Sequence, residues 1–295
     1  MAVAAGARFP DLRDDWPLLR DALGRLGITA STQVWSDPGV RWGEFGMVLA
    51  NGAWDNIHVP DQFLGWAEET AEVTPLANTP AALRWGMDKH YLNILAASEV
   101  ATVPTVWLSP DEAPSGESVA LPDGEFVVKP TISGGGFQTG RYGASAADRA
   151  AAQDHIAQLL ATGRSVMVQP YMEQVDVDGE RGLIFMAGQF SHAFRKGPLL
   201  QPGGGAEGDL WQFENITLIE PTAVQLETAR EVLGIAEEIL GPTTYARVDL
   251  VPLADGTPAV LELELVDPSL YLEIEPTAPD RFARVVADQL ESGRT

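Results

Sequence analysis

Cysteine is absent from the 295 residues, lysine occurs only at positions 89, 129 and 196, and no run of about 18 uncharged apolar residues exists. Without thiols the chain has no disulfide, no thiolate metal site and no cysteine nucleophile, which fits a reducing interior. The missing apolar run excludes a membrane-spanning helix. The N-terminus, Met-Ala-Val-Ala-Ala-Gly-Ala-Arg, lacks the basic start and long apolar core of a leader, so the expected location is cytoplasmic. Positive charge is also scarce: 19 Lys and Arg stand against 42 Asp and Glu, a formal net charge of -23. That field repels nucleic acid and anionic membranes, so neither is expected as a partner, and solubility explains the excess.

With 45% hydrophobic residues the chain should be globular, long enough for two or three domain-sized units. No internal repeat is visible. The organising stretch is Phe126 to Gly143. A short apolar strand, Phe126 to Val128, delivers Lys129 and Pro130, and the backbone then runs through Ser133 into Gly134, Gly135 and Gly136, with Gly140 and Gly143 beyond. Consecutive glycines let backbone N–H groups converge into an anion-binding concavity, and a lysine at the strand end adds fixed positive charge. A polyphosphate suits such a site. Composition alone also admits a flexible linker; Lys129, the strand before it and Arg141 within the run argue against one. Neither common phosphate-loop pattern is present.

Upstream, Val3 to Ala5, Ile28 to Trp35 and Phe45 to Leu49 read as strands, and Trp16 to Leu26 as a helix stopped by Gly27, the opening of a parallel sheet covered by helices. Trp54, Asp55, Asn56 and His58 follow the third strand at its carboxyl end, where open sheets of this kind place ligands; a loop histidine such as His58 is more often simply solvated. Pro60 to Thr70 reads as an amphipathic helix. Thr79 and Pro80 form an N-cap and first-turn pair opening a long helix through about Ser98, with Lys89 inside it. Val103 to Leu108, the glycine-rich stretch, a helix from Ala146 to Thr162 and the strand Val166 to Gln169 make a small α+β lobe able to close over a ligand. Gly179 to Met186 and Gln189 to Arg195 form a hairpin turning at Ala187 and Gly188. Pro202 to Gly208 reads as a second glycine-rich loop, near Arg195 and Lys196. A helix from Val224 to Leu240, strands Tyr245 to Pro252 and Pro258 to Val266, and a helix from Asp280 to Leu290 complete the chain.

The last two strands carry a second constellation. Strand alternation puts Arg247 and Asp249 on one face, and Glu262 and Glu264 on one face, with Val248, Leu250, Leu261, Leu263 and Leu265 on the apolar side. If the strands pair, three carboxylates gather. Bare, they would repel by several kcal/mol at an effective dielectric of about 20, so a cation among them is expected, and hard oxygen ligands suit Mg²⁺. An exposed face with ordinary charges is the alternative.

Lys89, then Lys129 before the glycine-rich loop, then Gln169-Pro170-Tyr171-Met172, then Asp249 with Glu262 and Glu264, resemble in order and spacing the ATP-grasp fold of carboxylate–amine ligases. The resemblance covers essentially the whole chain. It is nearest the branch containing D-cycloserine synthetase, the O-ureido-serine cyclo-ligase, through Trp54-Asp55, Arg84 to Leu92 and Glu262 to Leu270. It implies an α/β fold with an N-terminal parallel-sheet domain (1–97), an α+β lid lobe (98–170) and a C-terminal mixed-sheet α+β domain (171–295), with ATP between the last two. It further implies that Lys89 and Lys129 contact phosphates under the glycine-rich loop and that Gln169, Pro170, Tyr171 and Met172 meet adenine. Asp249, Glu262 and Glu264 would hold Mg²⁺, and Arg247 would lie near the transferring phosphoryl group or the substrate. Arg195, Arg247 and Ser269 are candidates for holding a substrate carboxylate, with Trp54 and Asp55 on the substrate side. Glu264 stands where many members of the fold have Asn, and Asn56 and Asn51 also depart from the usual pattern, so the substrate is not carried over.

The expected activity is transfer of the γ-phosphoryl group of MgATP to a carboxylate, giving an acyl phosphate that a nitrogen nucleophile attacks. The substrates are then a small-molecule carboxylate and amine, in one molecule or two; a homodimer is compatible with these features. A small-molecule kinase and a non-catalytic nucleotide-binding partner are the competing readings.

Overall fold

Three sheets organise the protein, and the clefts between them follow from how each buries its faces. The computed structural model describes residues 1–10, 15–111, 119–198, 200 and 215–293. In the first sheet, β1 (Ala2–Ala5) is flanked in parallel by β2 (Ser31–Val34) and β3 (Val48–Leu49), and a two-residue β4 (Leu76–Ala77) lies beyond β3. Both faces of β1 are covered. Val3 and Ala5 pack with Leu19, Ala22 and Leu23 of α1 (Asp15–Arg25), whereas Ala2 and Ala4 pack with Phe63, Trp66 and Ala67 of α2 (Pro60–Val73). Burial on both faces is why β1 is apolar at every position rather than alternating.

The apolar spacing from 80 to 98 predicts one helix; the structure has two, α3 (Pro80–Met87) and α4 (Tyr91–Ala97). Thr79 caps the first as expected, its side chain accepting from the Ala82 N–H at 3.2 Å. The interruption comes at Asp88, whose backbone is extended and whose Oδ1 accepts from the His90 N–H at 3.2 Å and contacts His90 Nδ1 at 2.7 Å. A short acidic side chain here offers the backbone an alternative to the helical ladder. The Lys89 N–H leaves the helix and donates to Thr131 O at 3.1 Å. The break turns Lys89 inward, leaving it 3% exposed.

The second sheet contains β5 (Val106–Leu108), β6 (Phe126–Pro130), β7 (Gly140–Tyr142) and β8 (Val166–Pro170), antiparallel in the order β5-β8-β6-β7. Between β7 and β8, α5 (Ala146–Ala161) is capped by Ser145 and lays Ala152, Ile156 and Leu159 on Phe126, Val128, Val166 and Val168. The glycine-rich stretch is therefore the tip joining β6 to β7.

The third sheet follows α6 (Gln174–Asp178), a short helix not anticipated from sequence. It contains β9 (Glu180–Met186), β10 (Gln189–Lys196), β11 (Ile216–Ile219), then after α7 (Ala223–Leu240) the pair β12 (Tyr245–Pro252) and β13 (Pro258–Glu264), in the order β11-β10-β9-β12-β13. This sheet was expected to be mixed. Its strands pair antiparallel throughout, with β9 joined to β10 and β12 to β13 by short turns, and the parallel element among the described residues is a single bridge between Thr102 and Val260. Ala187 and Gly188 have φ of +48° and +72°, the left-handed conformation that a tight two-residue hairpin needs. The closing helix, α8 (Ala278–Ser292), packs on α1, so Leu23, Tyr245 and Phe282 share one core that joins the first and third sheets. The glycine-rich loop expected at Pro202 to Gly208 lies outside the described residues. No described helix is long and apolar enough to cross a membrane.

Candidate active site

A cavity of about 850 Å³ opens where the β6–β7 tip, the third sheet and the loops after β3 meet. On one wall lie Lys89, Lys129, Ser133, Gly134, Gly135 and Gly136. Gly135 and Gly136 adopt φ of +58° and +75°, which a side chain would strain. Lys89 Nζ donates to Ser133 O at 2.7 Å and pairs with Glu262 Oε1 at 2.9 Å, so one ammonium ties the glycine-rich tip to β13. Lys129 makes no direct ion pair among the described residues. Burial pushes its ammonium toward losing the proton, Glu262 opposes that, and the nearby Lys89 adds to it. A second anion placed here would relieve both lysines.

Gln169, Pro170, Tyr171 and Met172 line the same cavity where the chain crosses from β8 to the third sheet. Gln169 is buried, its Nε2 donating to Thr105 Oγ1 at 2.9 Å, and the Tyr171 N–H donates to Glu125 O at 2.8 Å. Tyr171 and Met172 pack with Val103, Val175, Val251 and Leu261 into an apolar slot. Leu261 was expected on the opposite, core-facing side. A bulge between Asp249 and Leu250 moves the register, so that Leu250 faces Val260 and Leu261 turns into the cavity.

The acidic strands pair as expected, with Arg247 opposite Glu264 and Asp249 opposite Glu262. The carboxylates are not bare. Arg247 Nε and Nη2 donate to Asp249 Oδ1 and Oδ2 at 2.9 and 2.8 Å, Nη2 also donates to Glu264, and Nη1 donates to Ser269 O at 3.1 Å. The repulsion inferred from sequence is thus met by Arg247 and Lys89. Burial works against the charge on Arg247, but Asp249 and Glu264 outweigh it and hold the guanidinium ionised. Burial likewise works to raise Glu262, yet Lys89 and then Lys129 prevail and hold it below the usual carboxylate range. Glu264 goes the other way, to about 8, because burial and the neighbouring acids exceed the help from Arg247. For a divalent cation the donors are of the right kind, hard carboxylate oxygens on facing residues. Among the described residues no three of them are already gathered around one point. That suits Mg²⁺, which takes one or two carboxylates and completes its shell with phosphate and water.

Two of the residues singled out from sequence stand elsewhere. Arg195 is not among the cavity-lining residues; its Nε and Nη2 donate to Asp178 O and Val177 O at 2.7 and 2.8 Å. Strand alternation sends its neighbour Lys196 into the cavity instead, where it faces Glu180 at 3.8 Å. Asp55 is also outside the lining: it accepts from the Ala7 N–H at 2.9 Å and from Trp35 Nε1 at 2.6 Å, tying the loop after β3 to the first sheet. Trp54 and Ser269 do line the cavity. His58 packs edge-on to Phe137 of the glycine-rich tip, with ring centroids 4.7 Å apart. Arg141, at the far end of the same stretch, pairs with Glu125 and Asp176 and does not line the cavity. Sequence reading missed Glu180, Asp267, Tyr271 and Glu273 in the lining. The signal for Glu180 was strand parity opposite Lys196; the others follow β13 in an irregular segment without periodicity.

A glycine-rich hairpin closing over two lysines, an apolar slot at the crossing strand and paired carboxylates beneath define an ATP-grasp enzyme of the carboxylate–amine ligase class. The D-alanine–D-alanine ligase of Bacillus anthracis, in its complex with ATP, shares this fold with a TM-score of 0.65 at 14% identity, over 99% of this chain and 97% of that one. A family model of the D-cycloserine synthetase DcsG N-terminal domain matches residues 1–78. The cycloserine biosynthesis protein DcsG of Streptomyces lavendulae is 37% identical over 285 residues, 94% of each chain. The crystal structure of D-cycloserine synthetase DcsG matches with a TM-score of 0.85 at 33% identity, over 98% of this chain and 99% of that one. The chain belongs to the DcsG family of ATP-dependent ligases.

Proposed function

We propose that this ligase makes an amide-type bond or a ring on an amino-acid-like small molecule through an acyl phosphate. The observation that carries the proposal is the convergence of Lys89, Lys129 and the Asp249, Glu262 and Glu264 carboxylates on one cavity, although they are distant in sequence. A carboxylate oxygen of the substrate attacks the γ-phosphorus of ATP and ADP leaves. A nitrogen then attacks the acyl carbon, phosphate leaves, and the nitrogen gives up a proton. Lys89, Lys129 and the backbone N–H groups of the glycine-rich tip hold the phosphates, and Tyr171, Met172 and Leu261 enclose the adenine. Asp249, Glu262 and Glu264 supply the carboxylates that would hold Mg²⁺, which would neutralise charge on the phosphates. Arg247 lies beside these acids, placed to meet charge as it leaves the γ-phosphate. No side-chain nucleophile is required, since positioning and charge neutralisation dominate phosphoryl transfer.

The units 1–97, 98–170 and 171–295 then act as substrate wall, lid and metal-binding floor, in the cytoplasm where ATP is available. A cavity of about 850 Å³ shared by nucleotide and substrate favours a small substrate. Similarity to a protein named D-cycloserine synthetase favours a nitrogen within the same molecule, giving ring closure. Incubating the protein with ATP, Mg²⁺ and candidate amino acids tests the reading. ADP and phosphate should appear together with a product one water lighter than the substrate that closes, or than the sum of the two substrates that join. A stable phosphorylated product would favour a kinase instead, and no ADP release across a broad panel would remove the ligase reading.

A further inference from the structure

The end of the cavity beyond β13 is built around an acid for which the ATP chemistry has no use. Asp267 lies three residues beyond β13 and lines the cavity beside Trp54, Asn56 and Ser269. Three side chains of the loop after β3 hold this segment. Asn51 Nδ2 donates to Pro268 O at 2.7 Å, Trp54 Nε1 to Asp267 O at 3.1 Å, and Asn56 Nδ2 to Asp267 Oδ2 at 2.7 Å. Asn56 is itself buried, at 1% exposure. Among the described residues Asn56 is the single hydrogen-bond partner of the Asp267 carboxylate, and no cation lies within ion-pair distance of it.

The contrast with the other acids of the cavity decides what Asp267 is for. Of the other acids in the lining, Glu262 is met by Lys89, Asp249 and Glu264 by Arg247, and Glu180 by Lys196, while Glu273 lies against the Asp15 carboxyl. Asp267 is met directly by an amide; Asp55 repels its charge, and Arg247 and Lys89, beyond ion-pair distance, offset only part of that and of burial. Asp267 is partly exposed to the cavity, and once a ligand shuts out water an acid held this way is costly to ionise unless a cation arrives with the ligand. A metal is a poor candidate, because the Asp267 carboxylate is held by an amide N–H rather than by a second acid. An organic ammonium needs one carboxylate and a few further acceptors, and the Ser269 hydroxyl lines the same end of the cavity.

Resting on the ligase reading above, we infer that Asp267, oriented by Asn56, binds the protonated amine of the substrate and so makes the enzyme specific for amino acids over plain carboxylic acids. Burial followed by repulsion from Asp55 raises the Asp267 carboxyl to about 7, which an incoming ammonium would reverse. The role is one of substrate recognition: a substrate lacking the amine leaves the carboxyl unpaired, which is how a buried polar group rejects an isostere.

The test uses the full chain with ATP and Mg²⁺ and measures ADP release for a panel of α-amino acids and O-ureidoserine, each paired with the acid that lacks only its α-amine. The wild type should prefer the amine-bearing member about 100-fold or more in kcat/KM, the scale on which sites built for a polar group discriminate. Asp267→Asn should reduce that preference below about 10-fold, mainly by raising the KM for the amino acid, while the KM for ATP changes less than about twofold and reports an intact nucleotide site. Asn56→Leu should lower the preference less. If Asp267→Asn keeps the full preference, or if the wild type uses both members equally, the assignment is overturned while the ligase reading stands. If the wild type releases ADP with no member of the panel, the ligase reading fails and this inference with it.

Discussion

Arg141 on β7 and Asp176 on α6 form a two-pronged pair, Nη1 to Oδ1 at 3.2 Å and Nη2 to Oδ2 at 3.0 Å, while the Arg141 Nε donates to Glu125 at 3.0 Å and the guanidinium lies 3.5 Å from the centroid of the Tyr171 ring. Arg141 is 4% exposed, whereas the Asp176 side chain is 42% exposed. This pair fastens the second sheet to α6 beside the wall proposed for adenine. Arg141→Ala should cost about 1–2 kcal/mol of stability, the lower part of the range for charge-assisted hydrogen bonds because Asp176 keeps access to water. The KM for ATP should rise several-fold. Arg141→Lys should recover little, since an ammonium cannot reproduce the fork or the ring contact. Thermal melts together with ATP titrations read both effects; unchanged values for Arg141→Ala would remove the fastening role.

The two cavity lysines should separate stability from turnover. Burial works against the charge on Lys129, so its folded-state pKa lies below the unfolded one. Below that pKa, where the ammonium persists, the group costs stability, and the cost fades as pH rises toward the ordinary lysine range. Lys129→Met should therefore be as stable as wild type or more so at pH 7, yet lose about 100-fold or more in ADP release, as expected when a donor aimed at developing charge is removed. Lys89→Met instead leaves Glu262 without its partner at 2.9 Å. It should cost roughly 2–4 kcal/mol, below the full penalty of a broken buried pair because Glu262 keeps some access to the cavity. Urea denaturation beside ADP assays compares them, and equal destabilisation by both variants would contradict the assigned electrostatics.

The sequence carried the parts of the fold and site whose signal is local. Consecutive glycines after Lys129 marked the tip, Thr79-Pro80 marked the start of α3, and strand alternation placed Asp249, Glu262 and Glu264 together. What it hid depends on departures from periodicity. Three residues at Asp88 to His90 interrupt an otherwise helical pattern and turn Lys89 inward, and one bulge after Asp249 moves Leu261 from core to cavity. Arg195 and Lys196 show how narrow the margin is: both are basic neighbours on one strand, and the register alone decides which reaches the cavity. Asp267 has no local signature, because its role comes from a loop more than 200 residues earlier in the chain.

Asp267 also predicts a pH dependence of stability. Its carboxyl is raised from an ordinary value of 3.8 to about 7, chiefly by burial. Between those values the folded protein holds a proton that the unfolded chain has released, so this group's contribution is fully present below pH 4 and is lost as pH rises toward 7. Asp267→Asn removes this group's share of the dependence and leaves that of the other raised acids, Glu264 among them. Relative to wild type, the variant should gain stability progressively from pH 4 to pH 7, by a few kcal/mol at most. Parallel denaturation series at several pH values measure the difference, and a constant offset across that range would contradict the raised carboxyl.

Tyr91 links the helix break to the acidic strand. Its hydroxyl accepts the Leu263 N–H at 2.8 Å, on the residue between Glu262 and Glu264, and its ring stacks on Trp85 with centroids 4.9 Å apart. Burial, and then the charge of Glu262, disfavour ionisation of the phenol, so it stays neutral throughout the working range. Tyr91→Phe keeps the stacking and removes the acceptor, leaving a buried N–H without a partner on the outer strand of the sheet. The cost should be about 1–3 kcal/mol. Because β13 gains freedom where both glutamates emerge, kcat should fall with little change in the KM for ATP, and raising the Mg²⁺ concentration should recover part of the loss if the glutamates hold the ion. A phenylalanine variant with lowered stability but undiminished kcat would show that this hydrogen bond supports the sheet alone and does not position the carboxylates.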